Sequence, residues 1–221
     1  MVMSKKQRIL VIKHGALGDI VQGLDAFASL RAGHPNAHIS ILTGPAFAKF
    51  VGLMPWFDEV LVDPRSSAIN LTAWLKIRSI LHRDWDAIVD FQCSGRTARY
   101  HKFLSQKAVR WFGTASGASD PYPDFNGVNN HRRMLVAAQM AGGADITADE
   151  ADMNWLQQPS EIDGSLQIDG SLQRDGLGVL IPGCSAAKPE KKWPPERYAE
   201  LADMMRNAGH QVVIIGTNTD R

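Results

Sequence analysis

Cysteine is scarce in this chain of 221 residues: Cys93 and Cys184 are the only two. They stand far apart, with no CxxC and no Cys/His ligand spacing, so neither a disulfide framework nor a zinc site is expected, and a reducing compartment fits best. Long apolar runs are lacking too. Met1 to Arg8 is polar and basic, and Ile9 to Ile12 behind it is too short for a signal core or a membrane span; no later segment reaches the length of either. The chain therefore reads as cytoplasmic, with any membrane contact peripheral. Neither sign of charge is in excess: Lys+Arg 24 against Asp+Glu 23 leaves +1. That balance argues against a protein held on nucleic acid mainly through phosphates, though it leaves room for a local basic patch. A Walker loop is missing, since no Gly-Lys-Ser/Thr occurs, and so is the three-glycine dinucleotide spacing. A nicotinamide enzyme would also want an acid near the end of the second strand, and Asn36 to Thr43 has none.

What is present is an ordinary soluble composition, 44% hydrophobic and 21% charged, enough for a core of useful size. Length alone leaves one large or two small domains open. The pattern is clearer. Ile9-Leu10-Val11-Ile12 is a continuous apolar run suited to a strand covered on both faces. A glycine-rich turn follows, Gly15 to Asp19, and then Ile20, Leu24, Phe27 and Ala28 recur at helical spacing until Gly33 and Pro35. Further strands are expected at Ile39–Leu42, Glu59–Val62, Ala87–Phe91 and Val109–Phe112, with a short helix opened by Gly44-Pro45 and a longer one over Ala68–His82. Strands alternating with helices predict a doubly wound parallel α/β sheet with right-handed crossovers. Ala115 to Asn130 reads as a loop and His131 to Ala141 as a helix closing this domain.

The segment Ile162-Asp163-Gly164-Ser165-Leu166-Gln167 then repeats at once as Ile168 to Gln173. Two copies are too few for a solenoid, which needs about three repeats to bury a core, so a solvated linker is expected. The pattern restarts with a strand at Gly178–Ile181, a polar loop from Pro182 to Lys192, a helix from Pro194-Pro195 to a stop at Gly209, and a strand at Gln211–Ile215. One βαβ unit of this size is smaller than most self-standing domains.

Three places could carry chemistry. The turn Lys13 to Asp19 lies at the carboxyl end of the first strand, where open α/β sheets bind ligands, and Gly15 and Gly18 let backbone come close to one. Asp19 has two readings. It is either an acid on the first turn of a helix, favoured by the dipole and helping to cap it, or a general base at the mouth of a cleft. The loop Pro182-Gly183-Cys184-Ser185 with Lys188, Lys191 and Lys192 suits a diphosphate, or is a solvated basic loop with Trp193 packed beneath the helix. Gly95-Arg96-Thr97-Ala98-Arg99 follows the fourth strand. Arg96 and Arg99 there match the forked geometry of an anionic acceptor, or are surface arginines on a first helical turn. Cys184 reads as a small buried residue, and His14 and His131 as loop or core histidines.

Taken together, Arg8 to Lys13, the Gly15–Asp19 turn, Pro55-Trp56-Phe57-Asp58-Glu59-Val60 and Pro182-Gly183…Lys191-Lys192-Trp193-Pro194-Pro195-Glu196-Arg197-Tyr198 resemble glycosyltransferase family 9. That family contains the ADP-heptose:lipopolysaccharide heptosyltransferases. The resemblance implies a GT-B fold: an N-terminal Rossmann-like acceptor domain over 1–155, a linker over 156–176 and a partial second Rossmann-like, nucleotide-sugar-binding domain over 177–221. It further implies a metal-independent, cofactor-free inverting transfer of heptose or a related sugar from a donor such as ADP-heptose. The acceptor implied is the lipopolysaccharide core or a related anionic glycolipid, reached at the inner face of the inner membrane. By position Asp19 resembles the family's base, Lys191 the lysine that balances charge on the departing diphosphate, and Ser185 the hydroxyl of the same phosphate loop beside Lys192. Gly15, Gly18, Arg96 and Arg99 fall on the acceptor side.

The sequence departs from the family at one point. The Asp-Ser/Thr-Gly-x-x-His segment that holds the donor occurs nowhere in the chain. A half-built donor site is therefore expected, with poor transfer by this polypeptide as it stands. The alternative is a non-catalytic glycan-binding remnant that keeps the acceptor domain. A nucleotide-dependent sugar epimerase or dehydrogenase is disfavoured by the missing dinucleotide spacing.

Overall fold

A computed structural model describes residues 6–64, 70–106, 108–146, 153–157, 176–184 and 189–216. The chain divides into two compact units, Met1–Gln158 and Pro159–Arg221. The duplicated Ile-Asp-Gly-Ser-Leu-Gln segment lies outside the described residues.

The first unit is built on a parallel sheet. Its strands are β1 (Arg8–Ile12), β2 (His38–Thr43), β3 (Glu59–Val62), β4 (Ala87–Asp90), β5 (Arg110–Gly113) and β6 (Asp120–Pro121), in the order β3-β2-β1-β4-β5-β6. The helices are α1 (Leu17–Val21), α2 (Leu24–Gly33), α3 (Ala48–Val51), α4 (Leu71–Leu81), α5 (Gly95–Phe103) and α6 (Asn130–Met140). Side chains on a strand alternate between faces, so one run of apolar residues feeds two cores. Ile9 and Val11 of β1 join Phe27, Leu30, Met134 and Ala137 from α2 and α6, whereas Leu10 and Ile12 join Ile77, Ile80 and Tyr100 from α4 and α5. A sheet covered on both faces is the reason its strands read as unbroken apolar runs.

Polar residues pin the strand ends. Arg31 of α2 reaches the carbonyls of Trp56 (3.1 Å) and Ala37 (2.9 Å) and the carboxylate of Asp58 (2.6 Å). Asp58 also accepts the Ile39 N–H at 2.8 Å, and Glu59 holds Ser40 and Arg83. The Pro55–Val60 segment thus ties β3 to β2 and α2.

Three details differ from the sequence expectation. The single helix expected from Ile20 is two, α1 starting at Leu17 and α2 at Leu24. Gly23 lies between them, where an added Cβ would meet Phe27 Cζ at 3.0 Å and Met134 Cε at 3.1 Å. A side chain at the break would therefore press on Phe27 and on Met134 of α6. The expected loop 115–130 contains β6, which continues the sheet through Phe112↔Asp120. A proline there fits the sheet's edge, where no ladder N–H is required. The helix expected over Ala68–His82 begins at Leu71, capped by Asn70, whose side-chain oxygen accepts the Ala73 N–H at 3.1 Å; Ala68 and Ile69 lie outside the described residues.

The second unit has β7 (Leu177–Leu180) and β8 (Gln211–Ile214) in parallel, joined through α7 (Pro195–Asn207). Prolines at its start preset the helix, and Gly209, at φ +90°, follows its end. At Gly178 an added Cβ would stand 2.1 Å from Met205 Cε, so α7 lies directly on β7.

Candidate functional site

In the first unit the strand order reverses between β1 and β4, and in such sheets ligands bind outside the carboxyl ends of the strands at that point. The chain leaves β1 through Lys13 and His14, both buried, and turns at Gly15. Gly15 has φ +129°, and a Cβ there would fall 2.3 Å from Phe47 Cε2, so both backbone and space demand glycine. Opposite, β4 ends in Asp90, whose Oδ1 accepts the N–H groups of Gln92 (3.0 Å) and Cys93 (2.9 Å). Gln92 joins the two turns: its N–H donates to the Ile12 carbonyl at 3.0 Å, and its side-chain oxygen accepts the His14 N–H at 2.9 Å.

Asp19 stands on the first turn of α1, half-buried. One oxygen, Oδ2, accepts the Ala16 N–H at 3.2 Å, the contact expected of a capping acid. The other, Oδ1, faces Asn130 Nδ2 at 3.4 Å. Asn130 also donates to Gln22 Oε1 at 3.0 Å and accepts from Arg133 at 2.6 Å. Helix α6 therefore delivers an amide and a guanidinium to the neighbourhood of Asp19. His131, next in line, pairs with Asp25 at 2.7 Å and fastens α6 to α2.

Behind the turn is a buried ionic cluster. Asp63, fully buried just past β3, receives Arg96 Nη2 at 2.8 Å and Nε at 3.0 Å together with the Tyr100 hydroxyl. His14 Nε2 lies 3.0 Å from Asp63 Oδ2, without hydrogen-bond alignment, and its ring meets Tyr100 edge-on. Arg96 is aimed inward by the Ser94–Thr97 capping box that starts α5. Burial pushes the Tyr100 hydroxyl well above its usual range, and the Asp63 carboxylate adds to that. Burial likewise raises Asp90, against the hydrogen bonds it accepts, and lifts the Cys93 thiol to about 11, which makes it a poor nucleophile. Lys13 is lowered by burial, with Asp19 opposing.

In the second unit, Lys191 closes a short turn, Pro189–Lys191, and Lys191 and Lys192 are both exposed. Trp193 packs edge-on against Tyr198 at 5.2 Å, at the start of α7. Ser185 and Lys188 lie outside the described residues.

The sequence-derived residues thus fall into distinct settings. Gly15, Gly18 and Asp19 share the turn after β1; around Gly18 an added Cβ would meet nothing within 4 Å, so that face is open. Arg99 is exposed on α5, whereas Arg96 is engaged with Asp63. Lys13, Asn130 and Arg133 were not singled out by sequence reasoning. Only Lys13, a charge placed directly after an apolar strand, carried a local signal. Among the described residues no group of His, Cys, Asp and Glu side chains could hold a metal ion, and no helix is long and apolar enough to cross a membrane.

Comparison with known proteins bears on the fold. Residues 128–221 match the family model of glycosyltransferase family 9 (heptosyltransferase). A Haemophilus influenzae protein proposed to be a glycosyltransferase is 33% identical over 86 residues, 38% of this chain and 24% of the relative, so the match spans about a quarter of that protein. The E. coli heptosyltransferase WaaC with ADP superposes with a TM-score of 0.68 at 14% identity, over 97% of this chain and 68% of that one. A family 9 glycosyltransferase from Veillonella parvula does so with 0.69 at 18% identity, over 100% and 65%. At such identities the structures speak for the fold, which is the α/β, GT-B-type fold of the heptosyltransferases. Residues 128–221 are thus similar to glycosyltransferase family 9, and the chain as a whole shares the fold of the heptosyltransferases.

Proposed function

We propose that the protein takes part in an inverting, metal-independent glycosyl transfer, moving a heptose or related sugar from a nucleotide-sugar donor such as ADP-heptose to a lipopolysaccharide core or related glycan. The observation that carries the reading is Asp19: a half-buried carboxylate at the sheet's switch point, one oxygen held by Ala16 and the other turned to Asn130. In this reading the acceptor hydroxyl gives its proton to Asp19 as its oxygen attacks the anomeric carbon. The bond from that carbon to the diphosphate breaks on the opposite face, and the nucleoside diphosphate leaves with the electron pair. Lys191, Lys192 and Ser185 are the groups proposed to meet the charge growing on the diphosphate, work of the kind whose loss costs about 3–4 kcal/mol in a barrier. Gly15 and Gly18 let the acceptor approach the backbone, and Arg99 is placed to meet an anionic acceptor from α5. We place the protein in the cytoplasm, meeting its glycolipid peripherally, with no metal or resident cofactor and no nucleic-acid partner.

Release of ADP in the presence of ADP-heptose and delipidated lipopolysaccharide core measures the reaction. In a chain that also carries the family's donor segment, Asp19→Asn keeps an oxygen for the Ala16 N–H but removes the base, so turnover should fall by about 10²–10⁴-fold with the fold intact. Unchanged turnover would remove Asp19 from the mechanism. Glycan binding without ADP binding or ADP release, measured by calorimetry, would instead support a non-catalytic glycan-binding module.

A further inference from the structure

Helix α1 is five residues long and opens on Ala16, which has no side-chain oxygen to cap it. Asp19 does that work instead, its Oδ2 accepting the Ala16 N–H at 3.2 Å. So short a helix is marginal alone and takes its order from what packs on it. A carboxylate held at one oxygen can still turn about that contact. The partner of the other oxygen comes from α6: Asn130 Nδ2 lies 3.4 Å from Asp19 Oδ1 and 3.0 Å from Gln22 Oε1. Asp19 and Gln22, the residue that ends α1, stand three positions apart and so share a face. A single amide from a distant helix therefore reaches both.

The orientation of that amide is set by Arg133. A guanidinium only donates, so the Asn130 atom 2.6 Å from Arg133 Nη2 is the oxygen. Both protons of Nδ2 are then turned to α1, one matching Gln22 Oε1 and the other Asp19 Oδ1. Arg133 follows three residues later on α6, so the lock and the amide belong to one element. We infer that Asn130 is a positioning residue for Asp19: it fixes the plane of the carboxylate through Oδ1, with Arg133 holding the amide in the orientation that donates. At 3.4 Å the contact is long and therefore weak, enough to direct the oxygen without withdrawing it. A carboxylate oxygen has two lone-pair sites, so Oδ1 keeps one for the proton of an incoming hydroxyl. This rests on the reading of Asp19 as the base.

Steady-state kinetics separates positioning from a plain tie between α6 and α1. ADP release is measured with ADP-heptose and delipidated lipopolysaccharide core, in a chain that also carries the family's donor segment. Alanine suits the first turn of a helix, so Asn130→Ala should leave the thermal midpoint nearly unmoved. It should lower kcat about ten- to a hundredfold, with the KM for acceptor little changed, as for a base that is present but misaimed. Gln22→Ala removes the other half of the tie and should leave kcat at the level of the parent chain. An undiminished kcat in Asn130→Ala, or an equal fall in Gln22→Ala, overturns the positioning role. On the chain as it stands, the side-chain amide protons of Asn130 should shift in the NMR spectrum when Asp19→Asn is introduced. An amide pair that does not respond overturns the contact, and this measurement decides should Asn130→Ala fail to fold. Turnover lost in Asp19→Asn but kept in Asn130→Ala sinks this inference alone. Turnover kept in both sinks the reading of Asp19 as the base, and the positioning role with it.

Discussion

Gly15 and Gly18 sit three residues apart in one turn, yet they answer to different constraints. At Gly15 a side chain would force a left-handed backbone on an L-residue and drive a Cβ into the Phe47 ring, 2.3 Å away. At Gly18 nothing stands within 4 Å. Gly15→Ala should therefore lower the thermal midpoint, with a cost of about 1–3 kcal/mol for strain at such a position. Gly18→Ala should leave it unmoved or slightly raised, and should alter only the KM for acceptor. Thermal unfolding of the two variants side by side checks this. Equal losses would mean that both glycines serve the fold alone. The same turn shows where residue-level reading stops. Asp19 could be a capping acid or a base, and the structure gives its two oxygens different partners, Ala16 and Asn130, so the capping contact occupies only one of them.

Among the elements, α6 decides most about the site. It starts at Asn129, whose side-chain oxygen accepts the Arg132 N–H at 2.8 Å, and its first turn presents Asn130, His131 and Arg133. Removing that cap with Asn129→Ala should cost about 1 kcal/mol. By loosening the first turn it should also weaken the contact of Asn130 with Asp19, seen as increased hydrogen exchange over residues 129–133. Unaltered exchange there would show that the cap is not what orders the turn. Much of the element pattern was legible beforehand. The strands of the sheet's interior announce themselves as apolar runs because both faces are covered, and β7, α7 and β8 follow from period and punctuation. Strand β6 was not legible: two residues including a proline, inside a polar stretch, carry no periodicity, and only pairing with β5 makes them a strand. The break between α1 and α2 was hidden for a related reason, since a lone glycine, Gly23, is all that marks it within the helical spacing, and an isolated glycine does not by itself end a helix.

At the scale of the whole molecule, stability in acid follows from carboxylates tied to strand ends. Asp120 is held below its ordinary range by its hydrogen bonds to Arg110. Burial pushes Asp58 and Glu59 up, but the Ile39 N–H and Arg31 outweigh it at Asp58, and Arg83 and Ser40 at Glu59, so both end below their ordinary values. A depressed carboxyl contributes stability that is present above its unfolded value, 3.8 for Asp and 4.5 for Glu, and is lost as pH falls through the lower folded value. Asp90, raised by burial, works in the opposite direction, its protonation relieving a buried charge as pH falls toward 3.8. The thermal midpoint should thus drop steeply only below about pH 4. Asp58→Asn should make that drop shallower; an equally steep drop would assign acid unfolding to other groups. The amino-acid sequence by itself determined the α/β class, the glycine turn at the carboxyl edge of the first strand and the family resemblance, because strand and helix periods, glycine punctuation and short motifs are written in neighbouring residues. Which side chains meet at the edge was decided only by the tertiary structure. Asn130 reaches Asp19 across 111 positions, and Arg96 is turned to Asp63 across 33. Such pairs depend on the sheet order and on helices packed across it. No local pattern encodes where a strand will sit in a sheet, so the partners of Asp19, Arg96 and Tyr100 could be read only from the fold.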